Sequence, residues 1–500
     1  MKRLFLIIIL LFTISNNAQI SSLAELASGK IQLFNPIYEL DKSLYGYFMI
    51  VKLEKSTSNE ELFEYVLLDK NLNKVANGEY ADIAYKKYSA QYMVPEKIGD
   101  KIIISKLYYK SQMSVFGGNN SAYKFVTNRI LNLTTNKIST PFYFQNDEVV
   151  AGERPAKKID KSLKKNIFIQ YPFAIEDGYL LFKQSKLDKY SLKTREIATL
   201  EAYNIDNTKK WDFNYNPNKQ YMKSRIEFLD QNNIVLWTKN SKTKTQNLQF
   251  INPKDGKSTF KYNLENKNSE FNHLFKVRSF IDKTVIVGMY SKNKANGFNY
   301  KKSLGVFKIV LDNTGKETFK KYFSWDEAGE FMNIKKNGKL EKGYRLIAKQ
   351  FFIFNDGSTA FLAEKFKDMQ YYVVVSLAPK TTDFMILNFD DNFALNNVEK
   401  IEKDKSYYGS SDYLYSQRIK DGNGVVFFYR DYKKDEETRK KSWVLGIVSI
   451  INGKMKQEQI PMSSKEFFIS PYIAKEGYIL LREFNKDSEH DEIRLEKLNY

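Results

Sequence analysis

An all-β repeat architecture is predicted by three observations: an apolar segment that recurs along the chain, turn residues beside each copy, and scarce helical periodicity. The copies are Gly46–Ile50, Ile102–Ile104, Gly178–Phe182, Ile234–Trp237, Val285–Val287, Ala360–Leu362, Val425–Phe428 and Gly477–Leu481, spaced roughly every 60 residues. They are short, rich in Val, Ile, Tyr and Phe, and separated by Asn, Asp, Gly and Lys clusters, which is the signature of strands and turns.

Each element follows in chain order within a unit. A first pair of strands, A and B, closes over tight turns such as Glu176-Asp177-Gly178, Asn355-Asp356-Gly357, Asp421-Gly422-Asn423-Gly424 and Lys475-Glu476-Gly477, which supply the positive-φ residues that hairpins need. A second pair, C and D, is expected across seven turns. These lie at Leu68–Asn73, Asn132–Asn136, Tyr190–Thr194, Asn252–Gly256, Asp312–Gly315, Asn388–Asn392 and Ile451–Gly453.

Four antiparallel strands per unit, repeated, is the pattern of a β-propeller, here of about eight four-stranded blades with seven as the alternative count. Two unrelated β domains divided near residues 146 to 166 are a third arrangement. The last unit has a B strand at Tyr478–Arg482 and a C strand at Glu492–Leu498, and the sequence then stops. An N-terminal strand is therefore expected to complete this blade and cover its open edge, with Gly29–Phe34 as the donor.

The first residues have the form of a secretory signal peptide. Lys2 and Arg3 form a positive region, and Leu4 to Ile14 form an apolar core of about 11 residues. That is short of the about 20 needed to span a bilayer. Cleavage is expected after Ala18, which gives residues 1–18 as leader and 19–500 as a single propeller domain, periplasmic or secreted. Leu495 to Tyr500 is expected to close a strand, with no appended sorting domain anticipated after it.

Cysteine is absent, so neither disulfides nor thiolate metal sites are available, and stability must come from burial. At 42% hydrophobic and 15% aromatic residues the chain can supply large cores. The formal charge is +20, which would attract acidic surfaces at low salt. Export argues against nucleic acid as the target. Runs such as Lys433 to Lys441 mix both signs and read as solvated loops.

In a propeller the B-to-C and D-to-A connections leave from one face, and here they hold nearly all the length variation. Loops on a rigid scaffold are the usual place for function. Lys157 and Lys158 lie in the connection at Asn146–Asn166, Trp211, Phe213 and Tyr215 in Asn204–Lys223, Trp325 and Phe331 in Ser324–Tyr344, and Tyr407 and Tyr408 in Glu402–Ser411. Aromatic rings beside cations suit a sugar or a peptide. The alternative is that these rings plug gaps between blades.

Catalytic chemistry has no motif behind it. His273 and His490 are the only histidines, without metal-ligand spacing, and are expected at the surface; no cofactor or metal site is read. There is no G-x-S-x-G elbow, phosphate loop or dinucleotide fingerprint. Asp326, Glu327 and Glu330 read as a helix N-terminus, where acidic side chains are favoured.

The segment from Pro36–Leu40 through Gly46-Tyr47-Phe48 to Leu68–Leu72, with the Asn-Ala-Gln end of the leader, resembles uncharacterised secreted propeller-like proteins of Bacteroidota. The resemblance implies compartment and fold and transfers no site. The functional expectation is a monomeric binding or scaffold protein for a protein or glycan of the cell envelope, acidic partners included. A polysaccharide hydrolase or lyase on the same fold is the alternative.

Overall fold

The computed structural model describes residues 20–22, 30–54, 60–85, 88–113, 119–145, 148–153, 172–184, 198–240, 242–264, 271–292, 298–367, 380–406, 412–419, 422–434, 441–463, 467–485 and 492–499. Among these the chain is all-β, with three single-turn 3-10 segments, and no helix is long and apolar enough to cross a membrane. It forms two compact units, Met1–Ile159 with Met462–Tyr500, and Asp160–Pro461.

In the first unit the strands are β1 (Ile20–Ser22), β2 (Lys30–Tyr38), β3 (Leu44–Lys52), β4 (Glu60–Asp69), β5 (Lys74–Ile83), β6 (Ser89–Tyr92), β7 (Glu96–Ile98), β8 (Lys101–Met113), β9 (Asn119–Asn132), β10 (Lys137–Ile138), β11 (Phe142–Gln145) and β12 (Glu148–Ala151). The second unit holds β13 (Pro172–Ile175), β14 (Gly178–Gln184), β15 (Ala198–Asn204), β16 (Lys209–Asn214), β17 (Met222–Leu229), β18 (Ile234–Asn240), β19 (Gln246–Ile251), β20 (Ser258–Asn263), β21 (Phe271–Ser279), β22 (Lys283–Lys292), β23 (Ser303–Asp312) and β24 (Glu317–Ser324). It continues with β25 (Arg345–Ile353), β26 (Thr359–Lys367), β27 (Lys380–Phe389), β28 (Leu395–Ile401), β29 (Tyr413–Arg418), β30 (Gly424–Lys434), β31 (Lys441–Ile451) and β32 (Lys454–Pro461); β33 (Phe467–Ile473), β34 (Tyr478–Asn485) and β35 (Glu492–Lys497) return to the first unit.

These strands make a β-propeller of antiparallel meanders. Seven sheets have four strands, which is the alternative count, and β6 to β12 build a larger sheet of seven. Each of the eight recurring apolar segments lies in or at the start of the second strand of a sheet. That strand is buried on both faces, as in β18, where all seven residues are buried. A run buried on both sides loses the apolar-polar alternation of a half-exposed strand, so it reads as a continuous hydrophobic segment. The outer strands alternate instead, and β16 and β32 are mostly exposed.

The cores lie between successive sheets. Leu180, Leu200 and Ala202 of one sheet meet Ile234, Leu236 and Ile251 of the next, and Phe250 and Leu248 on the far face of that sheet meet Phe275, Ile286 and Phe307. In the first unit Tyr47, Met49 and Val66 pack on Leu480 and Ile493.

The C-to-D turns place a residue at positive φ: Leu72, Asn136, Asn207, Gly256, Gly315 and Phe393, with both Asn452 and Gly453 in the β31–β32 turn. Leu72 and Phe393 are bulky for that conformation, but both side chains are 2% exposed, so core packing offsets the local cost.

Two expectations about strand order are corrected. The N-terminal strand that completes the last sheet is β1, pairing Ile20 with Arg494 and Ser22 with Glu492. Gly29–Phe34 is not the donor, because Lys30–Phe34 continues into β2 and pairs with β3. The C-to-D hairpin of the β13–β16 sheet closes at Asn204–Thr208 rather than Tyr190–Thr194, a segment that lies outside the described residues. At the observed turn the Asn204 N–H donates to the Thr208 carbonyl at 2.8 Å, and Asp206 accepts the Thr208 N–H at 2.9 Å.

Candidate functional site

Antiparallel order sends the B-to-C and D-to-A connections of every sheet from one end, here the loop end, and the A-to-B and C-to-D turns from the other, the turn end. In the Asp160–Pro461 unit the loop-end connections include 325–344 and 402–412, against turns such as 176–177 and 280–282.

The predicted site residues do not gather at one place. Lys157, Lys158, Tyr407 and Tyr408 lie outside the described residues. Trp211 and Phe213 stand on outer strand β16 rather than in a connection, because the true turn falls at Asn204–Thr208. Both pack against the core shared with the next sheet. Trp211 also donates its indole N–H to the Pro253 carbonyl at 3.1 Å and covers Gly256. Trp325 is 1% exposed and bonds Ser303 Oγ at 3.2 Å, so it fills a gap in the core. Phe331 is 44% exposed, beside the 3-10 turn Glu327–Glu330. In that turn Glu327 accepts from the Ser324 N–H and hydroxyl, both at 2.7 Å.

Tyr215 is the predicted residue that borders a cleft, of about 290 Å³. The cleft arises from a change of chemistry along one sheet face. Side chains two apart on a strand share a face. On β18 and β19 the turn-end members Ile234, Leu236 and Ile251 are core. Toward the loop end the same face carries Thr238 and Asn240 on β18, Asn247 and Gln249 on β19, and Lys261 on β20. Register sets Thr238 opposite Asn247 and Gln249 opposite Lys261, so the polar groups converge across three strands.

The connections wall this face. Asn216 holds the 215–221 connection, accepting the Gln220 N–H at 2.9 Å and donating to its carbonyl at 2.8 Å. Asn240 donates to Gln220 Oε1 at 2.6 Å, while its own oxygen accepts the N–H groups of Lys242 at 2.8 Å and Thr243 at 3.0 Å. Tyr215 donates to the Lys183 carbonyl at 3.1 Å and stacks on Phe182, closing the floor.

Asn240 and Gln220 are thus framework. Among the described residues the side chains of Thr238, Asn247 and Lys261 have no hydrogen-bond partner, and no carboxylate lines the cleft. The lining offers amide and hydroxyl groups that both donate and accept, plus one cation. Sequence reasoning missed them because polar residues at strand ends are commonplace, and only register brings them together.

A second cluster sits at the loop end between the β25–β28 and β29–β32 sheets. Glu364 on β26 meets Lys349 Nζ at 2.6 Å and Lys403 Nζ at 3.2 Å, and Lys403 meets Asp412 at 2.6 Å. Asp431 on β30 accepts the Asp404 N–H at 2.9 Å. Burial pushes the Asp412 carboxyl above its ordinary value, opposed by Lys403 and reinforced by Glu364; burial likewise raises Asp431. These groups are bonded to one another, so the cluster ties Lys403, Asp404 and Asp412 to the strands β25, β26 and β30.

His273 is also buried, at 6% exposure, contrary to the expected surface position. It lies on β21 with Nε2 3.0 Å from the Tyr322 hydroxyl, and burial pushes its pKa down to about 3. His490 falls outside the described residues.

No protein-family model matches the chain, and no curated protein matches it. Solved structures do. One is a prolyl endopeptidase, 9% identical, with 92% of this chain and 55% of that one covered and a TM-score of 0.39. This chain therefore spans just over half the length of that protein. Another is the β-propeller domain of the Trilobed protease from Pyrococcus furiosus, 10% identical over 82% of this chain and 96% of that one, TM-score 0.33. A member of the DUF4221 family from Bacteroides vulgatus is 13% identical over 66% of this chain and 92% of that one, TM-score 0.30. None of these likenesses carries a functional assignment.

Proposed function

We propose that this chain is an exported binding or scaffold protein that engages a glycan or protein of the cell envelope at the loop end of its sheets. Residues 1–18 act as its signal peptide and 19–500 as one propeller domain, periplasmic or secreted, in a protein related to secreted propeller-like chains of Bacteroidota. The observation that carries the reading is the amide- and hydroxyl-lined cleft beside Tyr215, whose Thr238 and Asn247 side chains are without partners among the described residues. Convergent neutral donors and acceptors in a concave, framework-held site suit a ligand rich in hydroxyl groups, which favours the glycan.

The test is a glycan array probed with residues 19–500 and with the Asn247→Ala variant. Retention of one saccharide class by the parent chain, weakened in the variant, supports the reading. Equal retention by both, or none by either, counts against this cleft.

A further inference from the structure

The charges around the cleft are segregated by position. Lys219 and Lys242 are exposed in the connections beside its walls, and Lys261 is exposed in its lining. The carboxylates of the same sheet are elsewhere: Glu227 is tied to Arg225 in mid-strand, and Asp230 and Asp255 are in turns at the opposite end. On the neighbouring sheet, Glu201 is paired with Asp212 in register. Both alternate with Leu200 and Phe213, which face the cleft side, so the two carboxylates face away. Among the described residues the cleft therefore has neutral walls and a rim of one sign.

We infer that the ligand of this cleft is an anionic saccharide, a carboxylated or sulfated glycan whose anion meets Lys261 while its hydroxyls meet Thr238, Asn247 and the Gln249 amide oxygen, the Gln249 nitrogen being bonded to Ser258 Oγ. This rests on the binding function proposed above. Lys261 stands directly across from Gln249, so an anion on the ammonium group leaves the sugar ring over the amides. A lysine is suited to this as a point charge with three rotatable donors. With no carboxylate in the lining among the described residues, the repulsion that would oppose an acidic sugar is removed.

The experiment compares matched probes by isothermal titration: oligogalacturonate against its methyl ester, and dextran sulfate against dextran. Each is tested with residues 19–500, with Lys261→Met, and with Lys456→Met, an exposed lysine on outer strand β32 that controls for net charge. The expected result is that an anionic probe binds about tenfold more tightly than its neutral counterpart, and that Lys261→Met removes most of that margin while Lys456→Met leaves it. Both lysines are exposed, so loss of fold does not confuse the comparison. Equal binding of neutral and anionic probes, or equal effects of the two substitutions, overturns the anionic assignment and leaves the glycan reading standing. Binding of no saccharide of either kind overturns both.

Discussion

Lys403 and Glu364 meet at 3.2 Å with neither side chain exposed to solvent. They are the middle of an alternating chain, Lys349, Glu364, Lys403, Asp412, that joins two strands, the end of one sheet and the start of the next. Removing one member of a buried ionic set leaves its partners uncompensated. Lys403→Met leaves Glu364 and Asp412 without the cation between them, and should cost about 3–5 kcal/mol in urea unfolding. Asp412→Asn keeps the Lys403–Glu364 contact and should cost less. Negligible losses in both variants would show that the ionic set adds nothing beyond packing.

His273 gives a pH signature. Its ring is held neutral because burial, first, and then Lys320 and Lys239 push its pKa down to about 3, below the ordinary histidine value. A depressed histidine contributes stability that is fully present above the unfolded pKa of about 6.5 and is lost as pH falls toward the folded value. Urea midpoints should therefore fall between neutral pH and about pH 4, and His273→Gln should flatten that decline. An unchanged slope in the variant would assign the acid sensitivity to other groups.

Gly256 sits at φ +69°, and an added Cβ would lie 2.5 Å from a ring carbon of Trp211. Gly256→Ala should destabilise by about 1–3 kcal/mol, from backbone strain and the ring together. In a Trp211→Leu background the cost should shrink to the backbone part. Thermal melts of the four chains in this cycle separate the two causes.

Strand β1 contributes three residue pairs to β35. Deleting residues 20–22 exposes the edge of β35, an unpaired strand that templates pairing with other chains. The truncated chain should lose about 1–3 kcal/mol and show raised light scattering at high concentration. A truncated chain that stays monomeric with an unchanged melt would show that the pairing adds nothing to stability.

What could be read from the sequence followed from how each signal is encoded. The B strands are legible because burial on both faces turns them into continuous apolar runs, as in Ile234–Trp237. Six of the seven C-to-D turns carry or adjoin residues that tolerate positive φ. The seventh was misplaced at Tyr190–Thr194, although Asn204–Thr208 contains Asn207 at φ 72°. Strand β1 has one apolar residue in three, too little to announce a strand, whereas Lys30–Phe34 belongs to the longer pattern of β2. The ionic chain was unreadable because Glu364 and Lys403 are distant in sequence and meet only when two sheets stack. The cleft has the same origin: Asn247 and Lys261 are ordinary surface residues until register sets them on one face.

The pairing of β1 with β35 also has a consequence in time. Synthesis runs from the N-terminal end, so Ile20–Ser22 leaves the ribosome long before its partner Glu492–Lys497 exists. Every other sheet can be assembled from strands that arrive within a short stretch of chain. This one holds a strand in waiting while all the others are made, and its closure records that they have been.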